Sequence, residues 1–200
     1  MNILIISASP RATSNSIKVS QRIGGLFETR GGVTLDVLDL SEDAPCAWSE
    51  AFYDANSSEA REWQACSERL QAADGFVIVA PEYGGMAPPQ LMNLLLKCGL
   101  AETGHKPALL VGVSSGMGGV YPIAQLRQFG FKNSFLCMLP FNVIVRQADR
   151  AFLGHPDESA ADTANDKRLA HGCELLVAYA GALASVRKSG IDHAAFRYGV

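Results

Sequence analysis

The stretch from residue 7 to residue 16 carries the densest group of side chains suited to binding an anion in this 200-residue sequence. It holds five Ser or Thr hydroxyls, the side-chain amide of Asn15 and the guanidinium of Arg11. Hydroxyls and a guanidinium beside the free amides of a helix N-terminus form a shell that suits a phosphate. A helix cap is the simpler explanation, because one Ser, Thr or Asn side chain is enough for it. The stretch alone leaves a phosphate site and a plain helix cap both open.

Composition limits the class of protein. With 48% hydrophobic and 18% charged residues, the chain is expected to fold as one domain over residues 1–200. A net charge of −3 without any basic block makes nucleic acid an unexpected partner. The N-terminal apolar run is too short for a signal peptide, and no later run is expected to be long enough to span a bilayer. We therefore expect a cytoplasmic protein without a membrane partner.

The cysteines are odd in number and widely scattered. They are Cys46, Cys66, Cys98, Cys137 and Cys173. No pair has the C-x-x-C spacing of a zinc or iron–sulfur site, and no neighbouring His completes a ligand set. We therefore expect reduced thiols, with neither a disulfide framework nor a metal site.

Several apolar segments have the properties of strands. The runs at residues 3–6, 76–80 and 108–113 show no alternation, which is typical of strands buried on both faces of a parallel sheet. Residues 33–40 alternate apolar and polar side chains for most of their length, as an edge strand does. Residues 134–145 contain the last strand material, and we expect Pro140 to break it.

Helical spacing fills the intervals between these strands. It predicts helices at residues 14–29, 59–73, 88–99, 120–128 and 160–188. Gly24 and Gly25 interrupt the first helix at some cost in stability, and glycine there would allow a close approach to the sheet. Residues 41–58 are expected to form the longest irregular connection.

The alternation of strands and helices predicts an α/β fold with a parallel sheet covered on both faces. In such sheets ligands bind beyond the carboxyl ends of the strands. Three segments with unusual chemistry follow predicted strands, and we name them loop 1 (residues 9–16), loop 2 (81–88) and loop 3 (114–119). We expect all three at one rim of the sheet. Loop 1 would hold a phosphate there, while the glycine-rich loops 2 and 3 would hold something planar.

Motifs in the three loops resemble the signatures of the NAD(P)H-dependent FMN reductase family. Loop 1 is similar to that family's G-S-x-R-x-x-S phosphate loop through Ser9, Arg11 and Ser14. Loop 2 and the helix after it resemble the P-E-Y-N-x-x-x-P-x-x-L-K-N segment through Pro81-Glu82-Tyr83, Gly85, Pro88, Leu91 and Asn93. The third signature, G-G followed by Q-L-R, is similar to Gly118-Gly119 and Gln125-Leu126-Arg127. The three matches occur in the right order.

The resemblance implies a fold and an activity. The fold is flavodoxin-like, a doubly wound sheet of five parallel strands in the order 2-1-3-4-5 with helices on both faces. The implied cofactors are FMN and NAD(P)H. The implied enzyme passes electrons from reduced nicotinamide through FMN to a small acceptor: a quinone, an azo or nitro aromatic, a free flavin or a metal ion. The flavin carries the chemistry, so no catalytic side chain is expected. The family also implies a homodimer or a homotetramer.

The resemblance assigns roles within each loop. For loop 1 it implies that Ser9, Arg11, Ser14 and Ser16 hold the FMN phosphate, together with the backbone N–H of Asn15. For loop 2 it implies that the main chain of Pro81, Glu82, Tyr83, Gly84 and Gly85 runs along the isoalloxazine edge. For loop 3 it implies that Ser114, Ser115, Gly116 and Gly118 approach the ring. Simpler interpretations stay open: a flexible turn at Gly84-Gly85, an ordinary connection for loop 3, and core packing for Tyr83.

The sequence departs from the family pattern near the site. Ala8 replaces the usual Gly, Ser16 and Gly84 each stand where Asn is common, Met92 replaces Lys, and Tyr121 stands where the family often has Arg. These departures bear on the nicotinamide and the acceptor more than on FMN. Two other classes therefore remain open. One is a flavodoxin-like electron carrier, and the other is an FMN-free interaction domain that uses residues 48–53 as a partner-binding loop.

Overall fold

The computed structural model describes residues 1–128, 132–152 and 160–196. It contains one parallel sheet in the order β2-β1-β3-β4-β5, which confirms the predicted strand order. The strands are β1 (Asn2–Ser7), β2 (Thr34–Asp39), β3 (Gly75–Pro81), β4 (Pro107–Val113) and β5 (Cys137–Val145). Since β1 pairs with both β2 and β3, the strand order reverses beside it.

Helices cover both faces of the sheet. They are α1 (Asn15–Arg30), α2 (Ser58–Ala72), α3 (Pro89–Lys97), α4 (Leu100–Thr103), α5 (Val120–Gln128) and α6 (Ala160–Arg187). Buried side chains of α1 and α6 share one core, and those of α2, α3 and α5 share the core on the opposite face. The four-residue α4 was not expected from the sequence, since one turn is too short to show a helical period.

The central strands contribute to both cores, because successive side chains of a strand point to opposite faces. Ile3 and Ile5 of β1 join the core with α1 and α6, whereas Leu4 and Ile6 join the core with α2. Every residue of β3 and of β4 is buried. The prediction of strands covered on both sides is therefore confirmed for the runs at 76–80 and 108–113.

The two edge strands show how the sheet ends. The edge position of β2 confirms the prediction from its alternating pattern. The predicted break at Pro140 is wrong, because β5 is continuous through this residue and its register shifts opposite Ala108 and Leu110. Proline has no N–H to donate, and an edge strand with a bulge is the place in a sheet that tolerates it.

The connection between β2 and α2 is irregular, as predicted, apart from a 3-10 turn at Glu50–Tyr53. It is fastened to α3. The backbone N–H of Trp48 in the connection donates to Asn93 Oδ1 of α3 at 2.7 Å. Beside it, buried Lys97 of α3 pairs at 3.0 Å with Glu59, which lies at the start of α2. The Ser49 hydroxyl donates to Glu59 Oε2 at 2.6 Å. This hydroxyl and the Lys97 ammonium hold the pKa of Glu59 below its ordinary value.

Helix α6 is an exception to the expectation that no run is long enough to span a bilayer. Among the described residues, Asp162–Arg187 is the one helical segment that is long and apolar enough to do so by length and composition alone. Its side chains Leu169, Cys173 and Leu176 are buried in the core that α6 shares with α1. The helix is therefore packed on the sheet as part of the fold.

Gly25 offers a test of how α1 is stabilised. The helix runs through Gly24 and Gly25 without a break, and a Cβ added at either position would meet no atom within 4 Å. The glycines therefore do not mediate a close approach to the sheet. We expect Gly25→Ala to raise the free energy of unfolding by about 0.5–1 kcal/mol, because Ala loses less backbone entropy in a helix.

Urea unfolding measures this change. Gly31→Ala is the matched control, since Gly31 ends the same helix with φ +73° and ψ 173°, a conformation nearly restricted to glycine, and a side chain there should cost about 1–3 kcal/mol. A loss of stability in Gly25→Ala would contradict the open space beside the helix.

Candidate functional site

The three loops lie together at the carboxyl-end rim of the sheet, as the topology predicted. A narrow cleft of about 40 Å³ opens between them. It is lined by Arg11, Ser14, Asn15, Ser16, Pro81, Glu82, Tyr83, Val113, Ser114 and Ser115. The remaining predicted residues, Ser9, Gly84, Gly85, Gly116 and Gly118, belong to the same loops but not to the lining of this cleft.

Loop 1 combines a helix cap with an anion-binding arrangement. Ser14 Oγ accepts a hydrogen bond from the amide of Ile17 at 3.2 Å, so Ser14 is the cap. The first amides of a helix lack partners within the helix, and here they belong to Asn15 and Ser16 at the cleft. Arg11 is exposed beside them. The two interpretations of loop 1 are therefore compatible.

The hydroxyl of Ser16 carries the strongest sign of a ligand. Ser16 is 1% exposed, and its Oγ has no hydrogen-bond partner within the described part of the chain. A buried polar atom without a partner is costly and rare in folded proteins. Four other described side chains, those of Ser7, Ser20, Ser41 and Gln90, also have a buried polar atom without a partner. Ser16 is the one of the five that lines the cleft, where an oxygen of a bound phosphate fits as the missing partner.

Hydrogen bonds tie the three loops to one another in a closed ring. Loops 1 and 2 are joined by the hydroxyls of Ser9 and Tyr83, which are 2.9 Å apart. Loops 1 and 3 are joined by Asn15 Nδ2, which donates to Ser115 Oγ at 3.1 Å. Loops 2 and 3 are joined by Glu82 Oε2, which accepts from the amide of Gly119 at 2.6 Å. Tyr83 is thus a bridge between loops in addition to packing as a half-buried side chain.

Glu82 acts as a cap supplied from another loop. Its Oε2 also faces the amide of Tyr121 at 3.4 Å, so the carboxylate sits at the start of α5. Negative charge is favourable at a helix N-terminus. A Cβ at Gly118 would lie 2.7 Å from Glu82 Oε1, so a side chain there would displace the carboxylate from this position. These contacts support a positioning role for Glu82 rather than that of a general base.

Gly84 and Gly85 form a hydrogen-bonded two-residue turn. The amide of Tyr83 donates to the carbonyl of Met86 at 3.1 Å, and the amide of Met86 donates back to Tyr83 at 3.0 Å. The φ angles of Gly84 and Gly85 are +58° and +75°, as in the two-residue turns that glycine and asparagine favour. Both glycines are exposed, so the turn presents bare main chain to solvent.

Two further contacts at the rim were not anticipated. Gln125 Oε1 accepts from the amide of Ala87 at 2.8 Å, which fastens loop 2 to α5. Arg146, which follows β5, donates from Nε to the carbonyl of Met117 at 2.7 Å. An arginine directly after a strand is a weak signal, because nothing in the local sequence shows that it reaches back to loop 3.

A larger cavity lies away from this rim. Its volume is about 550 Å³, and it is lined largely by apolar side chains of α3 and of the connection before α2, including Trp48, Met92 and Leu96. The smaller cleft contains the arginine, the helix N-terminus and the unpartnered hydroxyl. The candidate site is therefore identified by its chemistry rather than by its size.

Comparison with known proteins matches residues 1–149 to the family described as NADPH-dependent FMN reductase. The chain is also 30% identical over 129 residues to an FMN-dependent NADPH-azoreductase of Staphylococcus saprophyticus, across 64% of this chain and 68% of that protein. All three loops lie inside the range that the family matches.

Solved structures share the fold at lower sequence identity. The flavoenzyme NAD(P)H:(acceptor) oxidoreductase FerB of Paracoccus denitrificans has a TM-score of 0.69 at 17% identity, covering 90% of this chain and 97% of that chain. An azoreductase of Bacillus anthracis has a TM-score of 0.61 at 15% identity, covering 85% of this chain and 97% of its own. These likenesses confirm the flavodoxin-like architecture.

Replacing Glu82 by Ala is expected to free the start of α5. The amides of Gly119 and Tyr121 would lose a charged acceptor, so their hydrogen exchange should become faster by about tenfold or more. Exchange followed by NMR measures each amide separately. Glu42→Ala, which removes an exposed carboxylate outside the rim, is the control. Equal exchange rates in wild type and Glu82→Ala would contradict the capping role.

Proposed function

This chain belongs to the NADPH-dependent FMN reductase family, and we propose that it passes electrons from reduced nicotinamide through FMN to a small aromatic acceptor at the three-loop rim. The observation that carries the proposal is the buried Ser16 hydroxyl without a described partner, which lines a cleft beside Arg11 and the N-terminus of α1. A hydroxyl, a guanidinium and free helix amides are the donor set that a flavin phosphate requires.

The proposed cofactor site uses all three loops. Loop 1 would hold the FMN phosphate through Arg11, Ser14, Ser16 and the amide of Asn15. The Ser9 hydroxyl is already bonded to Tyr83 and would hold loop 1 against loop 2. Loops 2 and 3 would hold the isoalloxazine edge through the main chain of Pro81, Glu82, Tyr83, Gly84 and Gly85, and through Ser114, Ser115, Gly116 and Gly118. The ring of bonds between the loops supports this proposal, because it keeps the donors in place before binding.

When bound, FMN supplies hydride and electron transfer between the nicotinamide and the acceptor. The chain contributes binding and electrostatics. The exposed turn at Gly84-Gly85 offers main-chain groups without side chains, so a ring edge can approach closely. Backbone N–H groups aimed at a ring edge stabilise negative charge that develops there. We propose no catalytic side chain, since the Glu82 carboxylate is engaged by the amides at the start of α5.

The surroundings of the rim support an aromatic acceptor. Met86 of loop 2 is 56% exposed, Met117 of loop 3 is 70% exposed, and Tyr121 at the start of α5 is 64% exposed. These three residues belong to the loops that border the cleft or follow them directly, and exposed apolar side chains beside a polar cleft favour planar, apolar ligands. Quinones and azo or nitro aromatics fit such surroundings better than a hydrated metal ion does.

We also propose a cytoplasmic homodimer or homotetramer. Leu96 is 63% exposed on α3 and lines the larger cavity with Trp48, and an apolar surface of this kind suits a second copy of the chain. Leu94 and Leu95, which belong to the same apolar run, are buried in the core. Of the run at residues 94–96, only Leu96 is therefore exposed enough to contact a second copy.

Replacing Arg11 by Ala is expected to weaken FMN binding by about ten- to a hundredfold, because a hydrogen bond to a charged group contributes about 1.5–3 kcal/mol. Titration of the flavin-free protein with FMN, followed by quenching of flavin fluorescence, measures the affinity. Arg168→Ala removes an exposed arginine of α6 and should leave the affinity unchanged. An unaltered affinity in Arg11→Ala would count against the phosphate site.

The reductase activity has its own test. Protein loaded with FMN is expected to lose its yellow absorbance promptly when NADPH is added without oxygen, and to regain it when a quinone or an azo dye follows. Comparison with a ferric complex of similar potential tests the preference for aromatic acceptors. A loaded protein that stays yellow with both nicotinamides would be an electron carrier instead. A protein that takes up no FMN would be an interaction domain.

A further inference from the structure

Arg146 is fixed against loop 3. Its Nε donates to the carbonyls of Met117 at 2.7 Å and Gly118 at 3.3 Å. The next amide, that of Gln147, donates to the carbonyl of Gly116 at 2.9 Å. Gln147 has φ +49°, and a non-glycine residue keeps such a conformation only where its surroundings impose it. The end of β5 therefore places this arginine on loop 3 through both side-chain and backbone bonds.

Most of the Arg146 guanidinium remains available to a ligand. An arginine has five N–H donors, and the contacts to loop 3 engage the one on Nε. The side chain is exposed. Within the described ranges no carboxylate is paired with it, whereas Arg22 pairs with Asp166 and Arg187 pairs with Asp74. The Nη fork of Arg146 thus carries positive charge that no described acid neutralises.

The proposed function leaves this charge without a role. The FMN phosphate belongs to loop 1 and Arg11. In the proposed function the flavin ring lies along loops 2 and 3, so the nucleotide that reduces it would lie beside loop 3. Arg146 is a cation fastened to this loop. A guanidinium fork recognises a phosphate through two parallel hydrogen bonds.

We propose that Arg146 binds the 2′-phosphate of NADPH and gives this enzyme a preference for NADPH over NADH; the inference rests on the proposed function. Enzymes that prefer NADH recognise the ribose 2′-hydroxyl with a carboxylate, whereas an arginine accommodates the 2′-phosphate.

Substitution of Arg146 tests the proposal in the FMN-loaded enzyme. Arg146→Gln is expected to lower kcat/KM for NADPH by about ten- to a hundredfold, while kcat/KM for NADH and the affinity for FMN stay unchanged. Arg146→Lys keeps the charge without the planar fork and should lose less. Arg150→Gln, which removes an exposed arginine of the same segment, is the matched control and should change neither value.

A binding measurement supplies a readout without turnover. Calorimetry should show that wild type binds adenosine 2′,5′-bisphosphate more tightly than adenosine 5′-monophosphate, and that Arg146→Gln removes the difference. An equal loss of kcat/KM with NADPH and NADH, accompanied by weaker FMN binding, would show that Arg146 only stabilises loop 3. This result would overturn the proposal. An unchanged nucleotide preference in Arg146→Gln would overturn it as well. A wild type that neither nucleotide reduces would overturn the proposed function, and calorimetry would still decide the role of Arg146.

Discussion

The contact between the Glu82 carboxylate and the start of α5 is the constraint on which the rim depends. It holds loop 2 against loop 3, with Glu82 Oε2 2.6 Å from the amide of Gly119. Gly118 leaves room for this contact, since a Cβ there would displace the carboxylate. The position of loop 3 requires Gly112 in β4 as well, because a Cβ at Gly112 would lie 2.2 Å from the carbonyl oxygen of Gly119. The glycines of this region therefore follow from packing around one carboxylate as well as from any contact with a flavin.

The cleft opens where the strand order reverses. The chain leaves β1 for α1 on one face of the sheet and leaves β3 for α3 on the other, so loops 1 and 2 diverge above neighbouring strands. Such a divergence creates a crevice at the carboxyl ends of the strands. The hydrogen bond between Ser9 and Tyr83 joins the two loops, and Ser16 lines the cleft between them. The topology thus provides the space, and the polar residues of loop 1 make it suitable for an anion.

The sequence predicted the sheet more completely than the contacts within the site. Apolar runs at 76–80 and 108–113 identified β3 and β4, because burial on both faces leaves an unbroken pattern. Pro140 suggested a break, since the bulge that accommodates it depends on the register with β4. The bonds from Asn15 to Ser115 and from Arg146 to loop 3 join residues distant in sequence. No local pattern records such pairs, and the individual roles toward FMN remain predictions.

Two departures from the family pattern, at residues 84 and 121, fall where the structure constrains the main chain rather than the side chain. Gly84 has φ +58°, a conformation that glycine and asparagine both adopt, so the exchange preserves the turn. Residue 121 offers its amide to Glu82, while its side chain is 64% exposed and is free to differ. Backbone contacts at this rim therefore tolerate a change of side chain at residues 84 and 121. Ser16 differs from them, because its buried side chain lines the cleft and a change there alters the wall of the cleft.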